Sequence, residues 1–193
     1  SLTHVETAGS LSTSMAIIGQ HFNGASHALT DAVTMSDQTV FAWVRTTAKT
    51  SGQIIGTSSP ANGLALVMNA DGTLTLSEKS TAGDFNSWQT VSTAINDGAW
   101  HSIGYTYNSA GVTATIYVDG VPVAVNGTVT GGGVAPSTTF PQPLDIGAGF
   151  VGDIADLQVW NTVLGGAQLD NAPITVPTTA NSGLVAYFGM NEN

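Results

Sequence analysis

The segment 97–120, DGAWHSIGYTYNSAGVTATIYVDG, constrains the fold more than any other part of the chain. Two runs in it, 100–107 and 112–118, are rich in β-branched and aromatic residues, and the four residues between them include Asn and Gly. Asn and Gly tolerate the positive φ angles of a tight reversal. Asp119-Gly120 then predicts a type I′ turn into a third short strand at 121–125. The segment therefore predicts a three-stranded antiparallel meander.

Short strands separated by turn residues are predicted along most of the chain. The strand at 39–45 is apolar on both faces, which is typical of a central strand that is covered on both sides or lines a groove. The polar stretch 79–88 predicts a loop that carries aromatic residues, and 127–143, with three consecutive glycines, predicts a long loop. One short helix is expected at 161–170. Further strands are expected at 15–18, 21–22, 26–29, 53–57, 64–69, 73–77, 89–94, 144–147 and 151–160.

Many short strands with almost no helix predict an all-β, two-sheet antiparallel sandwich. The net charge of −10 arises from 13 acidic and 3 basic residues, and such a field repels phosphate backbones, so nucleic acid is not an expected partner. The chain has no Cys, which excludes disulfides and Cys-ligated zinc. It contains no apolar run of about 18 residues, so membrane insertion is not expected. Residues 1–15 also lack the pattern of a signal peptide.

Several motifs occur in the order found in one known family. The segment 16–24, which ends in Phe22-Asn23-Gly24, resembles its opening "F-D-G" segment, and 40–44 resembles its "aromatic-x-x-x-W-V" strand. The pair 97–101 and 116–120 is similar to "D-G-x-W-H" and "Y-V-D-G", and 150–161 resembles "F-x-G-x-I-D-D-V-R-I-Y-N". The chain thus resembles the laminin-G-like jelly rolls of the concanavalin A-like lectin and glucanase superfamily over about residues 16–165. This resemblance implies a jelly-roll sandwich.

The resemblance also suggests how the chain is divided. Residues 1–15 are expected to be an arm or edge strand, and residues 16–193 to form the jelly roll. The segment 183–192 looks like the strand with which such domains usually begin. It either closes the sandwich from the C-terminal side or opens a neighbouring repeat. Closure is favoured, because an unpaired apolar strand promotes aggregation.

Calcium is the cofactor that the resemblance implies. In related folds, calcium joins backbone oxygens near the first motif to an aspartate on the last strand, and hard oxygen ligands suit this ion. This implies Asp156 with Asn23 and Gly24, and Asp153 is the second choice as ligand. The chain departs from the family pattern at Asn23 and at Ala155, where the family has aspartates. The alternative, in which Asp156 only accepts hydrogen bonds from a neighbouring loop, stays open.

Catalysis is not expected. Glycosidases need two carboxyl groups about 5–9.5 Å apart across a cleft, whereas the three glutamates of this chain are widely scattered. Asp153 and Asp156 differ by three positions and would lie on opposite faces of a regular strand. No G-x-S-x-G elbow occurs, and His101 is interpreted as a hydrogen-bonded strand histidine.

Sugar binding normally needs an exposed aromatic plane beside amides and carboxylates. The predicted 79–88 loop offers that combination in Asp84, Phe85, Asn86 and Trp88. For Trp88, sugar binding and core packing are weighed about equally, because its polar neighbours favour an exposed position.

The concave face of a sheet is the second candidate. Arg45 shares a strand face with Trp43, and Gln158 shares one with Trp160, so either pair could line it. Core packing is the preferred interpretation for Trp43, Trp100 and Trp160.

These observations predict a non-catalytic binding module at an extracellular, cell or virion surface, with glycan as the first ligand. A structural or assembly protein, such as a virion decoration or adhesin domain that binds a surface protein, is the alternative. A glycoside hydrolase is the third interpretation. Homo-oligomers or neighbouring repeats fit either of the first two.

Overall fold

The computed structural model describes residues 19–25, 27–33, 37–57, 63–79, 85–130, 142–165 and 183–189, and these residues form two antiparallel β-sheets packed face to face. The all-β jelly-roll class expected from the sequence is confirmed. No helix is found in these described ranges, and so nothing in them could cross a membrane as a helix.

Within the described ranges, each sheet contains seven strands. The first sheet has the order β1-β13-β3-β8-β9-β10, with β14 also paired to β13, and the second has the order β11-β7-β6-β5-β4-β12-β2. The strands are β1 (Gln20–Asn23), β2 (Ala28–Val33), β3 (Gln38–Arg45), β4 (Gly52–Thr57), β5 (Gly63–Met68), β6 (Leu74–Lys79), β7 (Phe85–Thr90), β8 (Trp100–Asn108), β9 (Thr113–Val118), β10 (Val121–Pro122), β11 (Val125–Val129), β12 (Gln142–Ile146), β13 (Val151–Trp160) and β14 (Leu184–Phe188).

The core lies between the two sheets and follows the alternation of the strands. In β3, Val40, Ala42 and Val44 point into the core and are at most 1% exposed. Ile103 and Tyr105 do the same in β8. Because side chains alternate across a strand, the residues between them point away from the second sheet. This outer surface of the first sheet carries the candidate site.

One edge of the first sheet is divided between the two ends of the chain. β1 pairs with the first part of β13, from Val151 to Ile154, and β14 pairs with the last part, from Leu157 to Trp160. Between these parts the register of β13 against β3 shifts, between Ala155 and Gln158. β13 therefore contains a bulge where its neighbour changes.

Most predicted strands are present, and the turn chemistry agrees with them. Asp119 and Gly120 have φ angles of 52° and 74°, as a type I′ turn requires. The third strand of the meander is shorter than predicted, because β10 ends at Pro122 and the chain then crosses to the second sheet as β11. The strand predicted at 89–94 is wrong, since β7 ends at Thr90.

Both loop predictions need correction. Residues 85–88 belong to β7, and residues 127–129 and 142–143 belong to β11 and β12. Residues 161–165 are irregular rather than helical, and the rest of the predicted helix lies outside the described residues. The predicted arm at 1–15 and the strand at 15–18 also lie outside them.

Candidate ligand-binding face

Six aromatic side chains lie on the outer surface of the first sheet, and we call them the aromatic face. Phe41 and Trp43 alternate with the buried residues of β3, and Tyr117 lies between buried Ile116 and Val118 on β9. The strand registers bring together residues far apart in sequence, because Gln158 of β13 lies between Phe41 and Tyr187. The members of the aromatic face are Phe41, Trp43, Trp100, Tyr117, Trp160 and Tyr187.

The centre of the aromatic face is packed. The rings of Phe41 and Trp43 meet edge to face, with centroids 6.5 Å apart and an interplanar angle of 89°. Phe41 and Tyr117 both pack against a small cluster formed by Trp160 and Leu164. Gly104 lies between Phe41 and Tyr117 in the register, and a Cβ there would be 2.7 Å from the carbonyl oxygen of Val40. A side chain at this position would therefore clash with the backbone of β3.

The segment after β13 is fixed to this centre through Thr39. Its hydroxyl group donates a hydrogen bond to the carbonyl of Thr162 (2.8 Å) and accepts one from the N–H of Leu164 (2.9 Å). These bonds hold Leu164 against the ring of Trp160. Trp160 is buried, and it packs in this outer cluster rather than in the main core.

Arg45 is held in place at one end of the aromatic face. Its Nε and Nη2 donate to Oδ2 of Asp153 at 2.9 and 2.7 Å, and its guanidinium lies 4.9 Å from the ring centroid of Trp100. His21 Nδ1 lies 2.8 Å from Oδ1 of the same carboxylate. Partial burial raises the pKa of Asp153, but the hydrogen bonds and charges of Arg45 and His21 outweigh it, so this pKa lies below its ordinary value. Arg45 thus fixes Trp100 in position, and its charge is already matched by Asp153.

Asp156 lies in the bulge of β13. It has a φ angle of 46°, and its Oδ1 accepts a hydrogen bond of 2.7 Å from the hydroxyl of Tyr187. Burial raises the pKa of Asp156, and the bond from Tyr187 only partly opposes this. The contact connects the C-terminal strand β14 to β13, which agrees with the hydrogen-bonded alternative left open above.

The predicted calcium ligands are not brought together. Asn23 faces Val151 in the register, five positions along β13 from Asp156, which corresponds to roughly 16 Å. Asn23 Oδ1 accepts the N–H of Ala25, and both oxygens of Asp153 contact Arg45 or His21. Within the described ranges, no group of three or more His, Cys, Asp or Glu could hold a metal ion. Asp156, Asn23 and Gly24 therefore do not fit one calcium ion.

The bulge corrects the prediction that Asp153 and Asp156 lie on opposite faces. Asp153 contacts Arg45, and Asp156 contacts Tyr187, so both carboxyl groups lie on the outer side of the sheet. Their pKa values are moved in opposite directions, which is the property of an acid and base pair. Asp153 is engaged by Arg45 through Oδ2 and by His21 through Oδ1, and Asp156 by Tyr187.

The structure also corrects the predicted 79–88 sugar site. Trp88 is 6% exposed and packs edge to face on Tyr107 of the other sheet, with centroids 6.0 Å apart. Asn86 is buried and donates a hydrogen bond of 2.8 Å to Glu78. Phe85 alone of these is exposed, at 46%. The alternation of β7 places Asn86 and Trp88 inward, because its pairing with β6 extends the second sheet. Asp84 lies outside the described residues.

His101 connects the two most specific family motifs. Its Nδ1 lies 2.8 Å from Asp119 and its Nε2 lies 3.1 Å from Asp97. Burial lowers the pKa of His101, but the two carboxylates outweigh burial and the pKa is raised. Both ring nitrogens act as donors only in the protonated form, so the geometry favours imidazolium. Its predicted role as a hydrogen-bonded strand residue agrees with these contacts.

Sequence reasoning missed Tyr117 and Tyr187 on the aromatic face. The position of Tyr117 could have been predicted from the alternation along 113–118. Ala114, Ile116 and Val118 lie on the core face, so Tyr117 lies on the opposite face. Tyr187 carried no such signal, because its position depends on the pairing of β14 with β13.

A laminin G family model, described as the concanavalin A-like lectin/glucanases superfamily, matches residues 21–170. The chain belongs to this superfamily. The resemblance inferred from the motifs is thereby confirmed.

A curated relative is "Sushi, von Willebrand factor type A, EGF and pentraxin domain-containing protein 1" of Rattus norvegicus, 27% identical over 154 residues. The match covers 70% of this chain and only 4% of the relative. A solved putative carbohydrate binding protein from Bacteroides ovatus has a TM-score of 0.66 at 18% identity, covering 90% of this chain and 52% of that one. The Ruminococcus gnavus IT-sialidase CBM40 bound to α2,3 sialyllactose has a TM-score of 0.61 at 10% identity, covering 79% and 94%. At these identities the solved structures support the fold.

Proposed function

We propose that this laminin-G-like domain is a non-catalytic carbohydrate-binding module of an extracellular protein, and that the aromatic face binds the sugar. The observation that carries the proposal is the row Tyr117, Phe41, Gln158 and Tyr187, which the registers of β9, β3, β13 and β14 place across one sheet. Aromatic rings pack on the apolar face of a pyranose, and an amide such as Gln158 hydrogen-bonds its hydroxyl groups.

The indole groups add to this argument. Nε1 of Trp43 and Nε1 of Trp160 are buried and have no acceptor within the described part of the chain. A buried donor without an acceptor is costly, on the order of 1–3 kcal/mol, and such groups are often found at functional sites. Sugar binding that displaced the groups covering either nitrogen would let a sugar hydroxyl accept its hydrogen.

The charge of the protein narrows the class of glycan. The net charge is −10, and the one basic side chain on the aromatic face, Arg45, is matched by Asp153. An anionic sugar would meet a repulsive field without a free cation to bind it. Neutral or amino-substituted glycans are therefore the proposed ligands, in contrast to the sialyllactose bound by the R. gnavus neighbour.

The relatives support a binding role outside the cell. The B. ovatus neighbour is named a putative carbohydrate binding protein, and the rat relative is named for its sushi, EGF and pentraxin domains. This chain spans a small part of the rat relative, so an extracellular protein of several domains is the proposed setting.

A glycan-array screen, run in calcium and again in excess chelator, tests the proposal. We expect saturable binding of neutral glycans. Tyr117→Ala should weaken it at least tenfold, because a stacked ring contributes about 1.4 kcal/mol or more. Phe85→Ala is the matched control, since Phe85 is an exposed aromatic residue of the other sheet, and it should leave affinity unchanged.

Two results would contradict the proposal, and a third would add a metal to it. No binding of any glycan would remove the carbohydrate function. Loss of affinity in Phe85→Ala alone would move the site to the second sheet. Loss of binding only in chelator would support the calcium dependence implied by the family and require ligands other than the Asp156, Asn23 and Gly24 set.

The assembly role remains the alternative. A decoration or adhesin domain would bind other proteins rather than free saccharides, so it predicts a silent array together with a stable oligomer. The uncharged strand β11 is the observation that favours self-association, and it is compatible with carbohydrate binding as well.

A further inference from the structure

β11 is an edge strand whose backbone is paired on one side only. Residues Val125–Val129 pair with β7, and among the described residues no strand pairs with the opposite side. Asn126, Gly127, Thr128 and Val129 are all exposed. An exposed edge of this kind is a template for pairing with another chain.

The backbone groups that point outward can be assigned from two hydrogen bonds. The N–H of Thr130 donates to the carbonyl of Phe85 (3.2 Å), and the N–H of Val91 donates to the carbonyl of Ala124 (3.0 Å). In an antiparallel pair, hydrogen-bonded and non-hydrogen-bonded positions alternate along the strand. The backbone groups of residues 124, 126, 128 and 130 therefore face β7, and the N–H and C=O groups of Val125, Gly127 and Val129 point away from β7.

Nothing in β11 protects this edge. Natural edge strands commonly carry charged residues or proline, which oppose pairing. The other edge strand of the second sheet, β2, contains Asp31, whereas β11 reads VNGTV and contains neither a charged residue nor proline. Its surroundings are apolar as well, since Phe85, Val91 and Val129 are 46%, 54% and 51% exposed.

The sequence of β11 is complementary to itself when two copies run antiparallel. Centring the pairing on Gly127 sets Val125 against Val129 of the second copy, Asn126 against Thr128, and Gly127 against Gly127. Val125, Gly127 and Val129, whose backbone N–H and C=O groups point away from β7, then form hydrogen-bonded pairs. Asn126 and Thr128 form non-hydrogen-bonded pairs. No charge meets a like charge across the two-fold axis.

We propose that two copies of this chain associate through β11, in an antiparallel pairing with its two-fold axis at Gly127, which joins the second sheets into one continuous sheet. This dimer does not depend on carbohydrate binding, because the aromatic face lies on the other sheet. A five-residue edge buries less than the roughly 1,200–2,000 Å² of stable interfaces, so the dimer is weak. Because each copy carries a net charge of −10, added salt strengthens the association.

Cysteine trapping tests the pairing and its register, because the chain has no cysteine of its own. The experiment mixes Asn126→Cys with Thr128→Cys under mild oxidation. Opposed residues of a non-hydrogen-bonded pair have Cα atoms about 4.5 Å apart, within disulfide range. In Asn126→Cys alone, the two cysteines are diagonal neighbours, whose Cα atoms lie about 7–8 Å apart. We expect the mixture to form cross-linked dimer at least tenfold faster than either variant alone.

The matched control mixes Ser87→Cys with Gln89→Cys. Ser87 and Gln89 lie on β7, one strand in from the edge, where they pair with Thr128 and Asn126. The cross-linking rate of this mixture gives the rate of random collision. The proposal is overturned if the β11 mixture cross-links no faster than this control. Equal rates for the mixture and for Asn126→Cys alone would also overturn it, since they exclude the register centred on Gly127.

A proline variant supplies a second, reagent-free measurement. The N–H of Val129 points away from β7, so Val129→Pro removes an outward donor and keeps the pairing within the chain. Sedimentation of the unmodified protein should show dimers that increase with concentration and salt, and Val129→Pro should be monomeric with unchanged circular dichroism. A wild-type protein that is monomeric at every concentration, or a folded Val129→Pro that still dimerises, would overturn the proposal.

Discussion

The guanidinium of Arg45 lies 4.9 Å from the ring centroid of Trp100, which faces it across β3 and β8. The same guanidinium donates two hydrogen bonds to Asp153 of β13. One basic side chain therefore connects three neighbouring strands of the first sheet at one end of the aromatic face. The sequence could place Arg45 beside Trp43, but only the sheet order brings it to Trp100 and Asp153.

Arg45→Lys should reduce the free energy of unfolding by about 0.5–1 kcal/mol, because lysine keeps the charge but loses the planar stack and the paired bonds. Urea unfolding of Arg45→Lys, Trp100→Leu and the double variant measures the coupling between the two residues. A coupling energy near zero would mean that the stack does not contribute to stability.

Trp88→Ala should destabilise the fold by about 3–5 kcal/mol, since it removes a buried ring that packs on Tyr107 across the two sheets. Chemical unfolding followed by fluorescence measures the loss. Phe85→Ala is the control on the same strand and should stay within about 0.5 kcal/mol of the wild type, because Phe85 is exposed. A Trp88→Ala protein of unchanged stability that lost glycan binding would support the loop site predicted from the sequence instead.

His101→Gln should cost about 1 kcal/mol or less at mildly acidic pH, because it removes an imidazolium that joins Asp97 and Asp119. The pKa of His101 is raised in the folded protein. Its contribution is therefore fully present below the ordinary value of about 6.5 and is lost as the pH rises through the raised pKa. Urea unfolding of both proteins across this range should show the difference shrinking with pH. A difference that grows with pH would contradict the protonated bridge.

Protonation of Asp97 at low pH should remove the contribution of this carboxylate to stability. The backbone N–H of Ala99, followed by the hydrogen bond to His101, lowers the pKa of Asp97. Its contribution is present above its ordinary pKa of 3.8 and is lost as the pH falls through the lowered folded value. In urea unfolding at acidic pH, His101→Gln should still lose this part of its stability, because Asp97 keeps its bond from Ala99. Asp97→Asn should not show this loss.

Asp156→Asn should leave the protein as stable at neutral pH, or more stable by up to about 1 kcal/mol. Burial raises the pKa of Asp156, so the folded state bears the cost of a charged carboxylate only above that raised pKa. Asn still accepts the bond from Tyr187, and it tolerates a φ angle of 46°. The advantage should vanish as the pH falls below the ordinary value of 3.8. Thermal unfolding of both proteins measures this.

The same pair of proteins tests calcium. A metal ion at Asp156 would stabilise the wild type through binding to the folded state, and this gain would be lost in Asp156→Asn. Because the structure separates Asp156 from Asn23, we expect calcium to shift the two unfolding midpoints equally. A shift in the wild type alone would restore the site that the family resemblance implied.

The fold class, the family and most strand positions could be predicted from local patterns in the amino-acid sequence. Runs of β-branched and aromatic residues favour strands, and Asp-Gly or Asn-Gly pairs favour tight turns. Both preferences are local, so the folded protein keeps them, as the positive φ angles of Asp119 and Gly120 show. The paired motifs around His101 identified the family for the same reason, because they encode a local junction between two strands.

The geometry of the candidate site could not be predicted, because it depends on how separate strands pair and pack. Trp88 reads as a loop residue among polar neighbours, yet the pairing of β7 with β6 turns it onto Tyr107 of the other sheet. The bulge at Asp156 reverses the strand parity, and it depends on where β1 ends and β14 begins along β13. Sheet order and register depend on pairings between separate strands, such as that of Phe41 with Gln158 and of Gln158 with Tyr187. Local periodicity carries no information about such contacts, so the aromatic face could not be assembled from the sequence.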